Sequence, residues 1–117
     1  MTDTAGPNCI FCKIAAGQIP ARKVFEDDEL LAFHDINPWA PVHVLVIPKQ
    51  HIATLSDVQA AHAPMLGHLL ALAPRLMAEL GVGNGYRTLI NTGQDGGQEA
   101  YHLHMHVMGG PRPWLKG

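Results

Sequence analysis

The stretch YHLHMHVMGG, residues 101–110, places His102, His104 and His106 at every second position, with Leu103, Met105 and Val107 after each. Successive side chains of an extended chain point to opposite faces. The stretch therefore reads as a strand over residues 102–108, with imidazoles on one face and apolar side chains on the other. Alternation of this kind marks a half-buried strand whose apolar face covers a core. It gives no reason for the second face to be all histidine. At a rise of about 3.3 Å per residue, neighbours in the row stand roughly 6.6 Å apart. That is too wide for all three to grip one small atom. It suits a row whose middle member meets a reacting centre while the outer two meet other groups. Imidazole serves as nucleophile, acid, base or metal ligand near neutral pH, and close imidazoles oppose one another's protonation. The bland alternative is a solvated histidine face without a role; three histidines in alternation, following a loop with Gly96 and Gly97, weigh against it.

Outward from this strand, the preceding residues 85–92, GYRTLINT, have strand character, and GQDGGQ, 93–98, is a glycine-rich loop. Further back, Leu66, Leu69, Leu70, Ala73, Leu76, Met77 and Leu80 recur at helical spacing. Pro64 suits the first turn of that helix and Gly81 its end. Pro74, inside the pattern, removes a backbone donor and predicts a kink. Residues 57–61 form a separate leading turn. HVLVIPK, 43–49, is β-branched and apolar, a central strand that stops at Pro48. RKVFED, 22–27, and LLAFHDI, 30–36, pair as a hairpin, and NPWAP, 37–41, is a loop. Residues 10–16 make a short helix closed by Gly17, and residues 1–8 a mobile arm. The order predicts an α+β fold with an antiparallel sheet and a single domain over 9–117.

The chain has 117 residues, 47% hydrophobic and 15% charged, with a net charge of −2. This balance fits one globular domain. It gives no electrostatic reason to expect nucleic acid or an anionic membrane as a main partner. Phosphate, if bound, must be met by a few local donors. No apolar run reaches membrane-spanning length, and MTDTAGPN has no basic-then-apolar leader pattern, so the expected location is cytoplasmic. There, Cys9 and Cys12 of CIFC are expected free, redox-active or metal-bound, and a lone C-x-x-C leaves the metal and redox readings open.

HLHMHVM is the His-φ-His-φ-His-φ-φ motif, and on it the chain resembles the histidine triad superfamily. The likeness runs from Cys9 to Trp114. AFHDINPWAPVHVLVIPKQHI, 32–52, resembles the nucleotide-binding hairpin and following strand of the Hint-like branch; LINTGQDGGQEAYHLHMHVMGG, 89–110, resembles its active-site segment. Gly109–Gly110, where Fhit-like diadenosine polyphosphate hydrolases carry Pro-Arg, favours the Hint-like branch. The resemblance implies a five-stranded antiparallel sheet with one long and one short helix, two such sheets being joined across a homodimer. It implies hydrolysis of purine nucleoside phosphoramidates and acyl-adenylates, releasing the nucleoside monophosphate.

By position, His104 is then the nucleophile at the α-phosphorus, His106 holds a phosphate oxygen, and His43 orients the nucleophile's ring. Asn91 and the backbone from Gly97 to Glu99 supply further hydrogen bonds, glycine allowing close approach of uncharged N–H donors; Gln98 matches the family's glutamine in that loop. Glu99 is expected to protonate the amine leaving group or bind its cationic part. Asp35 takes the ribose hydroxyls, the alternative being a turn acid. Phe33, His34, Ile36 and Leu45 line the base slot, core packing being the alternative for the apolar members. Some superfamily members with the N-terminal pair bind zinc, which implies a closed structural site of Cys9, Cys12, His51 and His102; two free cysteines and a hydrogen-bonded His102 are the alternative. His62 and His68 are expected at the surface. PRPWLKG, with Trp114, is expected to reach the partner's active site. A dinucleoside polyphosphate hydrolase, a non-catalytic nucleotide-binding module and a zinc-stabilised interaction protein are the competing readings.

Overall fold

A computed structural model describes residues 8–115, so the arm expected over residues 1–8 lies, apart from Asn8, outside the described residues. The elements are α1 (Ile10–Ala15), β1 (Lys23–Glu26), β2 (Leu30–His34), β3 (Val42–Pro48), α2 (Ala63–Glu79), β4 (Tyr86–Leu89) and β5 (Met105–Gly109). The strands form one antiparallel five-stranded sheet in the order β1-β2-β3-β5-β4. The β1–β2 turn closes on Asp27, whose Oδ1 accepts from the N–H groups of Glu29 and Leu30 at 2.8 and 2.7 Å.

Helix α2 begins with proline in its first turn and runs on through Pro74. Residues 57–61 do not form one turn before it. Two short 3₁₀ turns stand there, Leu55–Asp57 and Ala60–His62, the first closed by a capping box between Thr54 and Asp57. Leu69, Leu72, Leu76 and Met77 of α2 pack on Leu30, Val44, Val46, Leu103, Met105 and Val107. The other face of the sheet carries a second, smaller core in which Phe11 and Ile14 of α1 meet Leu31, Phe33, Leu45 and Ile47.

That second cover changes the reading of the histidine strand. Leu103, Met105 and Val107 do face α2, but the opposite face is not solvated: His102, His104 and His106 are all buried. The regular strand also starts later than expected, at Met105 rather than His102. Its partner β3 ends at Pro48, and residues 102–104 run beside irregular backbone, the Leu103 N–H donating to the Ile52 carbonyl at 2.7 Å. Strand β4 is likewise shorter than residues 85–92, which leaves Asn91 in the loop beyond it.

Gly109 and Gly110 have local causes. A Cβ on Gly109 would stand 2.6 Å from Val82 Cγ1, and Gly110 has φ +111 with Pro41 Cβ 2.8 Å from where its own Cβ would be. The first position demands close approach and the second a backbone conformation that favours glycine.

Candidate active site

Strand β5 and the segment before it run beneath a cavity of about 790 Å³. His104 and His106 form its floor, and Phe33, His34, Asp35, Ile36, Leu45, Asn91, Gly97 and Glu99 contribute to its walls. The fold thus brings together residues from the β2–β3 hairpin, the loop after β4 and the start of β5. Phe33 and Leu45 are both core and wall, being buried among the residues under α1. Ile36 stands at the rim and is 91% exposed, a large apolar side chain facing water.

The hydrogen bonds assign a proton to each imidazole. The Trp39 N–H donates to His43 Nδ1 at 3.0 Å, so neutral His43 carries its proton on Nε2. That nitrogen lies 2.9 Å from His106 Nδ1 and 3.5 Å from Asp35 Oδ2. His106 therefore accepts at Nδ1 and keeps its own proton on Nε2, a donor for the cavity it lines. His104 Nδ1 lies 2.8 Å from the His102 carbonyl oxygen. A carbonyl only accepts, so the proton is on Nδ1 and the Nε2 lone pair is left available.

Burial keeps these rings neutral. It lowers His104 against the opposing influence of its bond to the His102 carbonyl and of the Asp35 charge. It lowers His106 to about 4, helped by repulsion from His104 and His43. It lowers His43 as well, the Asp35 carboxylate pulling the other way. His34 falls through burial and then through the Arg22 charge.

Two expectations need correction. His43 does not hold the ring of His104: its bond goes to His106, and the His102 carbonyl holds His104. His43 is also not in the cavity wall, and its link to the cavity runs through His106. The Gln98 side chain does not face the cavity. It is buried, accepting from Gly93 N–H at 2.9 Å and donating to the carbonyls of Ala53 and Ala100 at 2.8 and 3.0 Å, and so fastens the glycine-rich loop. Asp35 is not a choice between turn acid and cavity residue. Its Oδ1 accepts from Asn37 N–H at 2.8 Å, closing the turn, and the residue still lines the cavity.

Cavity residues absent from the sequence reading include Trp39, Arg22 and, from α1, Ile10, Phe11 and Ile14. The Trp39 ring stacks on His106 at 5.8 Å and 14°. Residues 37–41 read as a proline loop, and only the spacing of Trp39 four residues before His43 could have drawn attention to it. Phe11 and Ile14, three apart on a short helix, share a face that points to the sheet.

Cys9, Cys12, His51 and His102 meet at the far end of the histidine row. Their donor atoms all lie within 4.8 Å of one another. The Cys9 and Cys12 sulfurs are 3.3 and 3.5 Å from His102 Nδ1, and Cys12 Sγ is 3.2 Å from His51 Nδ1. His102 Nε2 donates to the Pro48 carbonyl at 2.7 Å, which turns the Nδ1 lone pair toward the thiols. An outer hydrogen bond of this kind orients a ligating histidine. Two thiols and two imidazoles, one with its tautomer set, fit a divalent metal ion.

The remaining histidines stay outside both clusters. His62 Nδ1 accepts from Gln59 N–H, and His68 pairs with Asp27 at 2.8 Å. Trp114 is tied to its own chain: its Nε1 donates to the Gly110 carbonyl at 3.0 Å, and the Arg112 guanidinium lies 3.7 Å over its ring.

Residues 8–115 match the family model described as "Scavenger mRNA decapping enzyme C-term binding". The chain belongs to the histidine triad family. It is 52% identical to Protein HitA of Neisseria gonorrhoeae, over 89% of this chain and 97% of that one. It is 45% identical to the purine nucleoside phosphoramidase of Escherichia coli, over 86% of each. Its fold matches a HIT family hydrolase from Legionella pneumophila with a TM-score of 0.87 and 50% identity, covering 90% of this chain and 95% of that one.

Proposed function

We propose that this chain hydrolyses purine nucleoside phosphoramidates and acyl-adenylates, releasing the nucleoside monophosphate through a nucleotidyl intermediate on His104. The observation that carries the reading is the tautomer of His104: Nδ1 is bound to the His102 carbonyl, and the Nε2 lone pair belongs to a ring that floors the cavity. The Nε2 lone pair attacks the α-phosphorus, and the P–N or P–O bond to the leaving group breaks. The leaving group takes that electron pair; an amine also takes a proton, supplied by the Glu99 carboxyl in the cavity wall, whereas a carboxylate leaves without one. Water then attacks phosphorus and gives up a proton to the Glu99 carboxylate, the P–Nε2 bond breaks, and His104 is regenerated. His106 Nε2–H donates to a non-bridging oxygen, and His43 fixes that proton by filling His106 Nδ1. This is charge stabilisation by neutral donors, which suits a net charge of −2.

Asp35 takes the ribose hydroxyls, and Phe33, Leu45 and the rim residue Ile36 hold the base beside His34. Asn91 and the Gly97–Glu99 backbone supply further phosphate donors. Zinc is the metal for Cys9, Cys12, His51 and His102. Bound there it would be a closed structural cross-link without a part in phosphoryl chemistry. A homodimer joined at the β4 edge satisfies the unpaired side of that strand, with the Trp114 tail on the partner side. Among the described residues no helix is long and apolar enough to cross a membrane.

The test is hydrolysis of adenosine 5′-phosphoramidate by wild type, His104→Ala and Glu99→Gln. His104→Ala is expected to lose at least about a thousandfold in kcat, and Glu99→Gln to slow substrates with poor amine leaving groups most. Folded wild type that binds AMP without turnover supports a nucleotide-binding module instead; turnover of diadenosine polyphosphates alone supports the polyphosphate hydrolase.

A further inference from the structure

The candidate metal-binding cluster and the candidate nucleophile are joined by one aromatic side chain. Phe11 lies between Cys9 and Cys12 in CIFC. Its ring stands edge-on to His102 at 5.9 Å and to His104 at 5.1 Å, and edge-on to Phe33 at 5.8 Å. Cys9 caps α1, its sulfur accepting from Cys12 N–H at 3.2 Å, so the turn that presents both thiols also aims the Phe11 ring. A second link runs through His102. Its Nδ1 faces the thiols while its backbone carbonyl holds His104 Nδ1–H. The imidazole of His104 is thus fixed from below by the carbonyl of one cluster member and from the side by a ring held between two others.

We propose that Phe11 is a positioning residue for His104, and that the Cys9–Cys12–His51–His102 cluster sets its place, so that the state of the cluster is transmitted to the nucleophile. The inference rests on the assignment of His104 as nucleophile. Phe11 also lines the cavity. A wall residue that only contacts substrate affects KM; a residue that holds the nucleophile in its attacking geometry affects kcat, where small misplacements cost large factors.

The experiment compares wild type, Phe11→Leu and Phe11→Ala, each loaded with zinc and each stripped by chelation, with folding checked by circular dichroism. Two readouts are taken. The first is the ¹⁵N signature of the His104 ring, which reports whether Nδ1 carries the proton in a single state. The second is the separation of kcat from KM on adenosine 5′-phosphoramidate. Phe11→Ala is expected to lower kcat by roughly tenfold or more and to give His104 a mixed or exchange-broadened signature. Phe11→Leu, which keeps bulk without the ring edge, is expected to restore KM more than kcat. Stripping wild type is expected to move the His104 signature the same way. An unchanged His104 signature in Phe11→Ala, or a change in KM alone, overturns the proposal. Absence of turnover in wild type would instead count against the hydrolase reading, and the ring signature would still decide the role of Phe11.

Discussion

The two faces of the sheet use the same strands to opposite ends. The face under α2 is a continuous apolar core in which Leu69, Leu76, Val44, Val46 and Met105 are fully buried. The face under α1 is also buried along the histidine row, yet it holds His43, His102, His104 and His106. Every one of those rings has a partner for at least one nitrogen. One face therefore supplies stability that any well-packed apolar set could supply. The other accepts the cost of burying polar groups and gains neutral imidazoles with assigned tautomers.

The largest effect expected from this contrast is on the α2 face. Leu76→Ala removes a fully buried side chain and is expected to cost about 2–5 kcal/mol, read from urea unfolding, while kcat of the protein that remains folded is unchanged. A loss of kcat in that folded fraction would break the division between the faces.

A smaller effect, confined to the α1 face, is its response to acid. His106 is held to about 4 from 6.5, and burial also lowers His104 and His43. Groups whose folded values are depressed favour the native state above their unfolded values and disfavour it as pH falls, because the unfolded chain then binds more protons. Stability is expected to be complete above about pH 6.5 and to fall by on the order of 2 kcal/mol by pH 4 through His106. Denaturant melts across that range check the sign, and His106→Asn is expected to flatten the slope. Stability that rises on acidification would contradict buried neutral imidazoles.

The same contrast explains what could be read in advance. The α2 face was legible because its signals are periodic: alternation in residues 102–108, helical spacing from Leu66 to Leu80, and a β-branched run before Pro48. The central position of β3 and the fold class followed from those signals, and the hairpin from the two strand runs 22–27 and 30–36 with a short turn between them. On the α1 face the identity of the histidines was legible, but their partners were not. Whether His43 meets His104 or His106 depends on strand register and on where β5 begins. Met108, not a triad member, pairs with His43 across β3 and β5. The burial of the row depends on α1, whose six residues carry little pattern. Gln98 was legible as a family position, but only the folded loop shows its amide turned inward to Ala53 and Ala100. Trp39 escaped because Pro38 and Pro41 mark its segment as a loop and nothing local to that loop signals a ring stacked on an imidazole.

The most direct measurement is mass spectrometry of protein quenched rapidly after mixing with an adenylate substrate, with the modified peptide mapped. The account predicts a nucleotidyl adduct on His104 that appears and decays within turnover. Rapid turnover with no adduct, or an adduct on His106, would contradict it.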